Sequence, residues 1–336
     1  MRRFHYLIGL AVSAIFVYLF IKNIHLQNLL KALTGADYRY VLPLIFANIL
    51  TLFLRCIRWK YLLSPVKNIS LIILFPAAFI GFMANIIFPA RIGEFVRAAI
   101  IGKKAQISKS SSFATIVVER LFDGFMVIFL FSLTLLFFPH VRADIDRPEF
   151  EGVKLGGYFF ITFCCVLLVL LIGLKWNTLF IKGFLEKILR PFPSLVTQRV
   201  SKLIDSFSEG LAVLGSGQEI LMVIFSSLAI WSIYVLEAFF LFSAFNLRLP
   251  FMAAVFLQVL LALGVTLPSA PAYVGTFHLA CALGLMILGV PSHYAQSYSI
   301  ILWFVDISPA IMMGLFFLWR EGLTLKKIKG ISPELL

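Results

Sequence analysis

Eight apolar stretches, each near the length that crosses a hydrocarbon layer, recur at residues 4–21, 40–57, 71–88, 113–138, 157–174, 220–245, 251–267 and 294–318. A spanning helix takes about 20 mostly apolar residues. Within lipid, every backbone polar group of such a segment must find its partner inside the protein. The pattern therefore predicts an all-α polytopic membrane protein, a single transmembrane domain over residues 1–336. Composition agrees, because 61% of the 336 residues are hydrophobic and only 13% are charged. A soluble domain, usually about half apolar, could not hide that surface.

The formal charge of +13 would suit nucleic acid in a soluble chain. In a membrane protein it has a plainer cause, since Lys and Arg gather in cytoplasmic loops. No nucleic-acid partner is expected. Basic clusters lie at Arg2 and Arg3, at Arg55, Arg58, Lys60 and Lys67, at Lys103, Lys104 and Lys109, along 175–202, and at Arg320, Lys326, Lys327 and Lys329. The 139–156 connection is acidic instead, with Asp144, Asp146, Glu149 and Glu151. One topology places every basic cluster inside: both termini are cytoplasmic, 139–156 is external, and 71–102 leaves and re-enters the cytoplasm. By the same count 251–289 leaves from and returns to the outside. Arg2 and Arg3 before the first apolar run resemble a signal peptide, but no small-residue cleavage site follows Phe20, so a retained first span is expected. Apolar residues recur among the charges of 175–219 (Leu179, Phe180, Phe184, Leu185, Ile188 and Leu189), as on a cytoplasmic helix lying in the headgroup layer.

Two shorter apolar pieces, 91–102 and 271–289, follow prolines. The first break runs Asn85, Phe88, Pro89, Arg91, Gly93, Glu94, Phe95; the second runs Leu267, Pro268, Pro271, Gly275, Phe277. Proline removes a backbone donor and clashes with the preceding turn, so Pro89, Gly93, Pro268 and Gly275 mark candidate hairpin breaks. Each hairpin follows one long span and precedes another, and the two run in opposite directions. The expected architecture is about six full spans plus two oppositely oriented re-entrant helical hairpins, with inverted halves at 1–138 and 157–320. Broken helices in opposed repeats build the sites of many secondary transporters.

Charges inside apolar runs mark the candidate site. Arg91, Glu94 and Arg97 lie at i, i+3 and i+6, on one helical face with Glu94 in reach of both arginines. Glu119, Arg120 and Asp123 open the span at 113–138. Each bare charge at membrane centre costs about 2.5–3.5 kcal/mol on insertion scales, so these groups must face one another or a wet cavity. The arginines offer planar forks for phosphate oxygens, and the carboxylates orient them. Asn85 completes this substrate-binding set. Glu237 and Asp306, lone carboxylates in mid-span, and His278 are candidates for proton coupling. Arg55 and Arg58, at the cytoplasmic end of their span, are expected to snorkel. The four cysteines (Cys56, Cys164, Cys165 and Cys281) read as small buried hydrophobes without metal spacing. No P-loop, zinc motif or nucleophile elbow occurs, so no catalytic residue, cofactor or metal is assigned.

Asn85, Phe88, Pro89, Arg91, Gly93, Glu94 and Arg97, followed by Glu119, Arg120 and Asp123, resemble the transmembrane region of bacterial lysylphosphatidylglycerol synthases, a flippase-like family. The resemblance covers roughly residues 5 to 320. Pro268, Gly275 and Phe277 resemble the family's second signature, with Pro271, Ala272 and Tyr273 where a glycine-richer turn is expected. In two-domain relatives this region is thought to flip the aminoacylated lipid that a separate soluble domain makes, and stand-alone relatives are linked to polyprenyl-phosphate-linked sugars. The resemblance thus implies a translocator of an anionic phospholipid or polyprenyl-phosphate-linked lipid in the bacterial inner membrane, not an enzyme. Its partners would be membrane lipids and separate lipid-synthesis enzymes. The rival readings are an intramembrane lipid-modifying transferase with Glu94, Glu119 or Asp123 as base, and a non-transporting scaffold for envelope synthesis.

Overall fold

The computed structural model describes residues 16–20, 26–88, 91–138, 217–267, 270–325, 327 and 328, with scattered residues between 155 and 211. Helices run in the order α1 (Leu26–Thr34), α2 (Val41–Leu63), α3 (Leu71–Ile87), α4 (Ile92–Ala105), α5 (Lys109–Phe137), α6 (Gly217–Ala244), α7 (Phe251–Thr266), α8 (Thr276–Ile287) and α9 (Ser292–Arg320). Short 3-10 turns precede α2 at Tyr38–Tyr40 and α8 at Pro271–Tyr273. No strand occurs among the described residues. The expected spans at 4–21 and 157–174, the 175–219 segment, and Pro89 and Pro268 lie wholly or largely outside the described residues.

Four helices, α2 with its preceding turn, α5, α6 and α9, are long and apolar enough to cross a membrane. Large apolar side chains point outward along them, such as Phe46, Leu136, Phe225 and Met312, which is the surface lipid covers rather than water. Helices α3 and α7 have 17 and 16 residues. At a rise of ~1.5 Å per residue they reach about 25 Å, short of the hydrocarbon core of about 30 Å. Their C-terminal ends have a common cause. Phe88 and Leu267 adopt extended backbone, the conformation forced on a residue that precedes proline.

Packing in one half repeats in the other. Helix α2 packs on α6, the α3/α4 pair lies against α9, and the α7/α8 pair lies against α5. Exchanging α2–α5 for α6–α9 maps this set of contacts onto itself. Two apolar cores result. One gathers Trp59, Phe79, Met83, Val96 and Leu121 with Ile307 and Phe317 of α9. The other gathers Phe242, Phe256, Leu285 and Val305 with Met126 and Leu130 of α5. Helices α5 and α9 each leave one core and enter the other part-way along. In α5 the crossing falls between Leu121 and Met126, at Asp123; in α9 it falls between Val305 and Ile307, at Asp306. Asp123 and Asp306 therefore sit on the seam between cores.

Candidate functional site

A polar stripe on α2 organises the centre. Asn48, Thr51, Arg55 and Arg58 recur at i, i+3, i+7 and i+10, which is one face of a helix. Arg58 is fully buried. Its Nη1 donates to Asp123 Oδ1 at 2.7 Å and to Ser227 Oγ at 3.0 Å, and its Nη2 donates to Glu119 Oε1 at 3.1 Å. The expectation that Arg55 and Arg58 snorkel is thus wrong. Helix α2 continues to Leu63, so Arg58 stands more than a turn inside the helix and points to its partners.

Glu119 is the hub. It is fully buried and also accepts from Arg97 Nη2, and from Arg120 Nη2 at 2.8 Å. Arg55 Nη2 stands 4.0 Å from Glu119 Oε1. Arg120 reaches Asp123 Oδ2 at 3.2 Å and approaches Glu94 Oε1 at 3.6 Å. Aromatic faces hold the remaining guanidinium surface, with Arg97 4.4 Å from the Trp59 ring centroid and Arg55 4.4 Å from that of Phe82. The ion pairs of α4 run to α5 and not along α4: Glu94 turns to Arg120 and Arg97 turns to Glu119. Arg55, Arg58, Arg97 and Arg120 meet Glu94, Glu119 and Asp123, four cations against three anions. The cluster is left positive.

The two helix breaks meet beside it. Arg91, the residue before α4, adopts a left-handed conformation (φ 50°), and its Nη2 donates to Val265 O near the end of α7 at 3.0 Å. In the second break Ala272 and Tyr273 are left-handed (φ 60° and 56°), and Gly275 has φ 93°. Ala272 O accepts from Trp303 Nε1 of α9 at 2.8 Å. Non-glycine residues in this region carry strain of order 1–3 kcal/mol each, typical of functional sites. Gly93 is needed for space. A Cβ there would lie 1.9 Å from Gly81 O and 2.6 Å from Asn85 N, so only glycine lets α4 press on α3 beside Asn85.

Between these elements lies a cavity of about 240 Å³. Arg55, Arg91, Arg120 and Asp123 line it together with Asn48, Asn85, Tyr234, Gln258 and Asp306, and apolar residues such as Leu52, Phe82 and Leu261 complete the wall. Of the seven candidate substrate-binding residues, Asn85, Arg91, Arg120 and Asp123 reach the cavity. Glu94, Arg97 and Glu119 are not among its lining and instead hold the arginines in place. Asp306 lines it and meets Asn48 Nδ2 at 3.5 Å. Glu237 is buried next to Asp306, whereas His278 stacks between Phe20 and Trp303, with ring centroids 5.3 Å away on each side. Sequence reasoning passed over Asn48, Arg55, Arg58, Trp231, Tyr234 and Gln258 as site residues. The α2 stripe was the available signal for the first three; for the others, lone polar residues on apolar helices, only the fold supplies it. Among the described residues, no group of three or more His, Cys, Asp or Glu side chains could hold a metal ion.

The family described as the lysylphosphatidylglycerol synthase TM region matches residues 6–314. A UPF0104 membrane protein of Methanothermobacter thermautotrophicus is 25% identical over 73% of this chain and 74% of its own length. One from Methanocaldococcus jannaschii is 24% identical over 87% of this chain and 88% of its own. The glycosyltransferase AglD of Haloferax volcanii is 30% identical over 123 residues, 36% of this chain and 20% of that protein. No solved structure matches. With a family match over nearly its whole length, the chain belongs to the lysylphosphatidylglycerol synthase TM region family of multi-pass membrane proteins.

Proposed function

We propose that this protein is a flippase-like translocator, carrying an anionic phospholipid or a polyprenyl-phosphate-linked lipid between the leaflets of the cytoplasmic membrane. One observation carries the reading: a cavity inside an apolar helical scaffold is lined by Arg55, Arg91 and Arg120. The ion cluster behind them already has one cation in excess, and Arg91 adds another whose side chain, among the described residues, bonds only a carbonyl, Val265 O. An incoming phosphate offers that fork a charged acceptor in place of a neutral one, a stronger bond of bidentate geometry. The headgroup would enter the cavity while the acyl or prenyl chains stay in the bilayer.

The short helices α3 and α7, their proline-linked breaks and the reciprocal packing of α2–α5 and α6–α9 support two inverted halves with re-entrant hairpins. In this arrangement both termini are cytoplasmic and the 139–156 loop is external. The protein transports and does not catalyse; enzymes that make or consume the lipid act separately. The test is reconstitution into vesicles carrying fluorescent phosphatidylglycerol or a labelled polyprenyl phosphate, with leaflet exchange followed by quenching. The parent should exchange one of these lipids faster than empty vesicles, Arg91→Ala should slow exchange at least tenfold, and Arg91→Lys should restore part of the rate. Exchange by Arg91→Ala at the parent's rate for both lipids would remove the site.

A further inference from the structure

The arginine cluster has an acidic counterpart that the phosphate reading leaves unused. Glu237 on α6 is 1% exposed, its charged neighbour is Asp306 on α9, and neither of its oxygens makes a close hydrogen bond among the described residues. Among the described residues, Asp306 hydrogen-bonds the Asn48 amide alone, at 3.5 Å, and that amide also faces Glu237. The surrounding groups are Tyr234 on α6, Gln258 on α7, Cys281 on α8 and Tyr298 on α9. Gln258 Nε2 is committed to Tyr234 O at 2.7 Å, and Tyr298 Oη to Ala238 O at 2.6 Å. The charged cavity residues Arg55 and Asp123 bear on Tyr234 and pair with the first cluster. Among the described residues, no cation bridges the two carboxylates.

Two acids against one shared amide, buried in an apolar scaffold, repel each other when both are ionised. A proton between them removes the repulsion and supplies the missing donor. The geometry points to Glu237 and Asp306 as a proton-binding pair that couples lipid movement to a proton gradient. Asp306 lines the cavity and Glu237 lies outside its lining, so Asp306 is the entry: its carboxylate takes a proton from solvent reaching the cavity, forming one O–H bond, and shares it with Glu237. Helix α9 is the lever. Asp306 sits where this helix changes cores, and Pro309, lacking an N–H, leaves Val305 O without its helical partner one residue away. This deepens, and rests on, the translocator reading.

Two measurements on the full-length protein test it, with Glu237→Gln and Asp306→Asn as near-isosteric variants whose fold is checked by circular dichroism. Infrared difference spectra of the purified protein across a pH titration should show a carboxylic-acid C=O band that each variant removes or shifts. An unchanged band in either variant overturns the shared proton, and this readout needs no transport. In vesicles with labelled phosphatidylglycerol or polyprenyl phosphate, one proton per lipid makes a one-unit pH gradient drive up to about tenfold leaflet asymmetry. Glu237→Gln, which lies outside the cavity lining, should exchange lipid but leave the asymmetry near one, and Asp306→Asn should lose the asymmetry whatever its exchange rate. Asymmetry in the variants equal to the parent's overturns coupling, whereas a parent that exchanges neither lipid defeats the translocator reading instead.

Discussion

The two halves of the molecule share a helical plan and carry opposite electrostatics. Around α4 and α5, arginines outnumber carboxylates, and Glu119 is wrapped by four guanidinium groups within 4.0 Å. Around α6 and α9, two carboxylates face each other with, among the described residues, the Asn48 amide and no cation. The same scaffold thus supports a saturated ion network and a starved one, and both open onto a single cavity through Arg120, Asp123 and Asp306. Packing symmetry fixes where polar groups sit, on the seam between the cores. It does not fix their sign. The positive half suits a bound anion, and the acidic half suits a transferable charge.

Removing the hub of the saturated network should produce the largest effect. Glu119→Ala leaves Arg58 and Arg97, both buried, without their shared counter-charge. Breaking one side of a buried ion pair costs about 3–5 kcal/mol, so the variant should lose most of its folded yield in detergent and unfold at clearly lower temperature. Parent-like thermal unfolding would show that the network is an ornament of the fold. The hairpins give a second, smaller contrast. Gly93→Ala drives a Cβ into Gly81 O and the Asn85 backbone, and overpacking of this kind costs about 1–3 kcal/mol. It should also displace Asn85 from the cavity, lowering lipid exchange more than unfolding temperature. An unaffected variant would mean that the α3/α4 contact is looser than these distances imply.

Much of this arrangement was legible from residue order. Apart from α2, which runs on to Leu63, the helices follow the apolar stretches closely, because proline and the onset of polarity stop them. Phe88 and Leu267 turn extended where a proline follows, as the pattern at 71–88 and 251–267 requires. Of the site, Asn85, Arg91, Arg120 and Asp123 were identifiable as charges and amides stranded in apolar runs. What sequence could not give was pairing. Glu94 and Arg97 are three residues apart and read as partners, but the tight α3/α4 contact at Gly93 and the register of α5 bring Glu119 and Arg120 into closer competition. Arg55 and Arg58 were misjudged for a related reason: nothing local distinguishes a helix that ends at the interface from one that carries two arginines on to Leu63. The α2 stripe from Asn48 to Arg58 is visible only when the helix is allowed to run its full length.

The second break is tied by a neutral bond where the first is tied by a charged one. Trp303→Phe removes the donor to Ala272 O while keeping the ring that packs on His278. Loss of one such bond costs about 1 kcal/mol, so unfolding temperature should fall slightly, and Ala272 and Tyr273, held left-handed partly by this bond, should exchange amide hydrogens faster. An unchanged exchange rate there would assign their conformation to the flanking prolines alone.

The smallest effect is also the most discriminating. Glu237→Gln deletes a carboxylate with no cation beside it among the described residues, and replaces it with a side chain of the same shape that can donate to Asp306. If Glu237 stabilised the fold as Glu119 does, neutralising it would cost several kcal/mol, the penalty for orphaning a buried partner. Here there is no partner to orphan, so unfolding temperature should stay within the spread of repeat measurements or rise. The two carboxylates are both nearly fully buried, so burial alone cannot account for opposite responses; only the presence or absence of arginine can. A Glu237→Gln protein destabilised as strongly as Glu119→Ala would mean that a cation reaches Glu237 in the folded protein, and the electrostatic contrast between the halves would be gone.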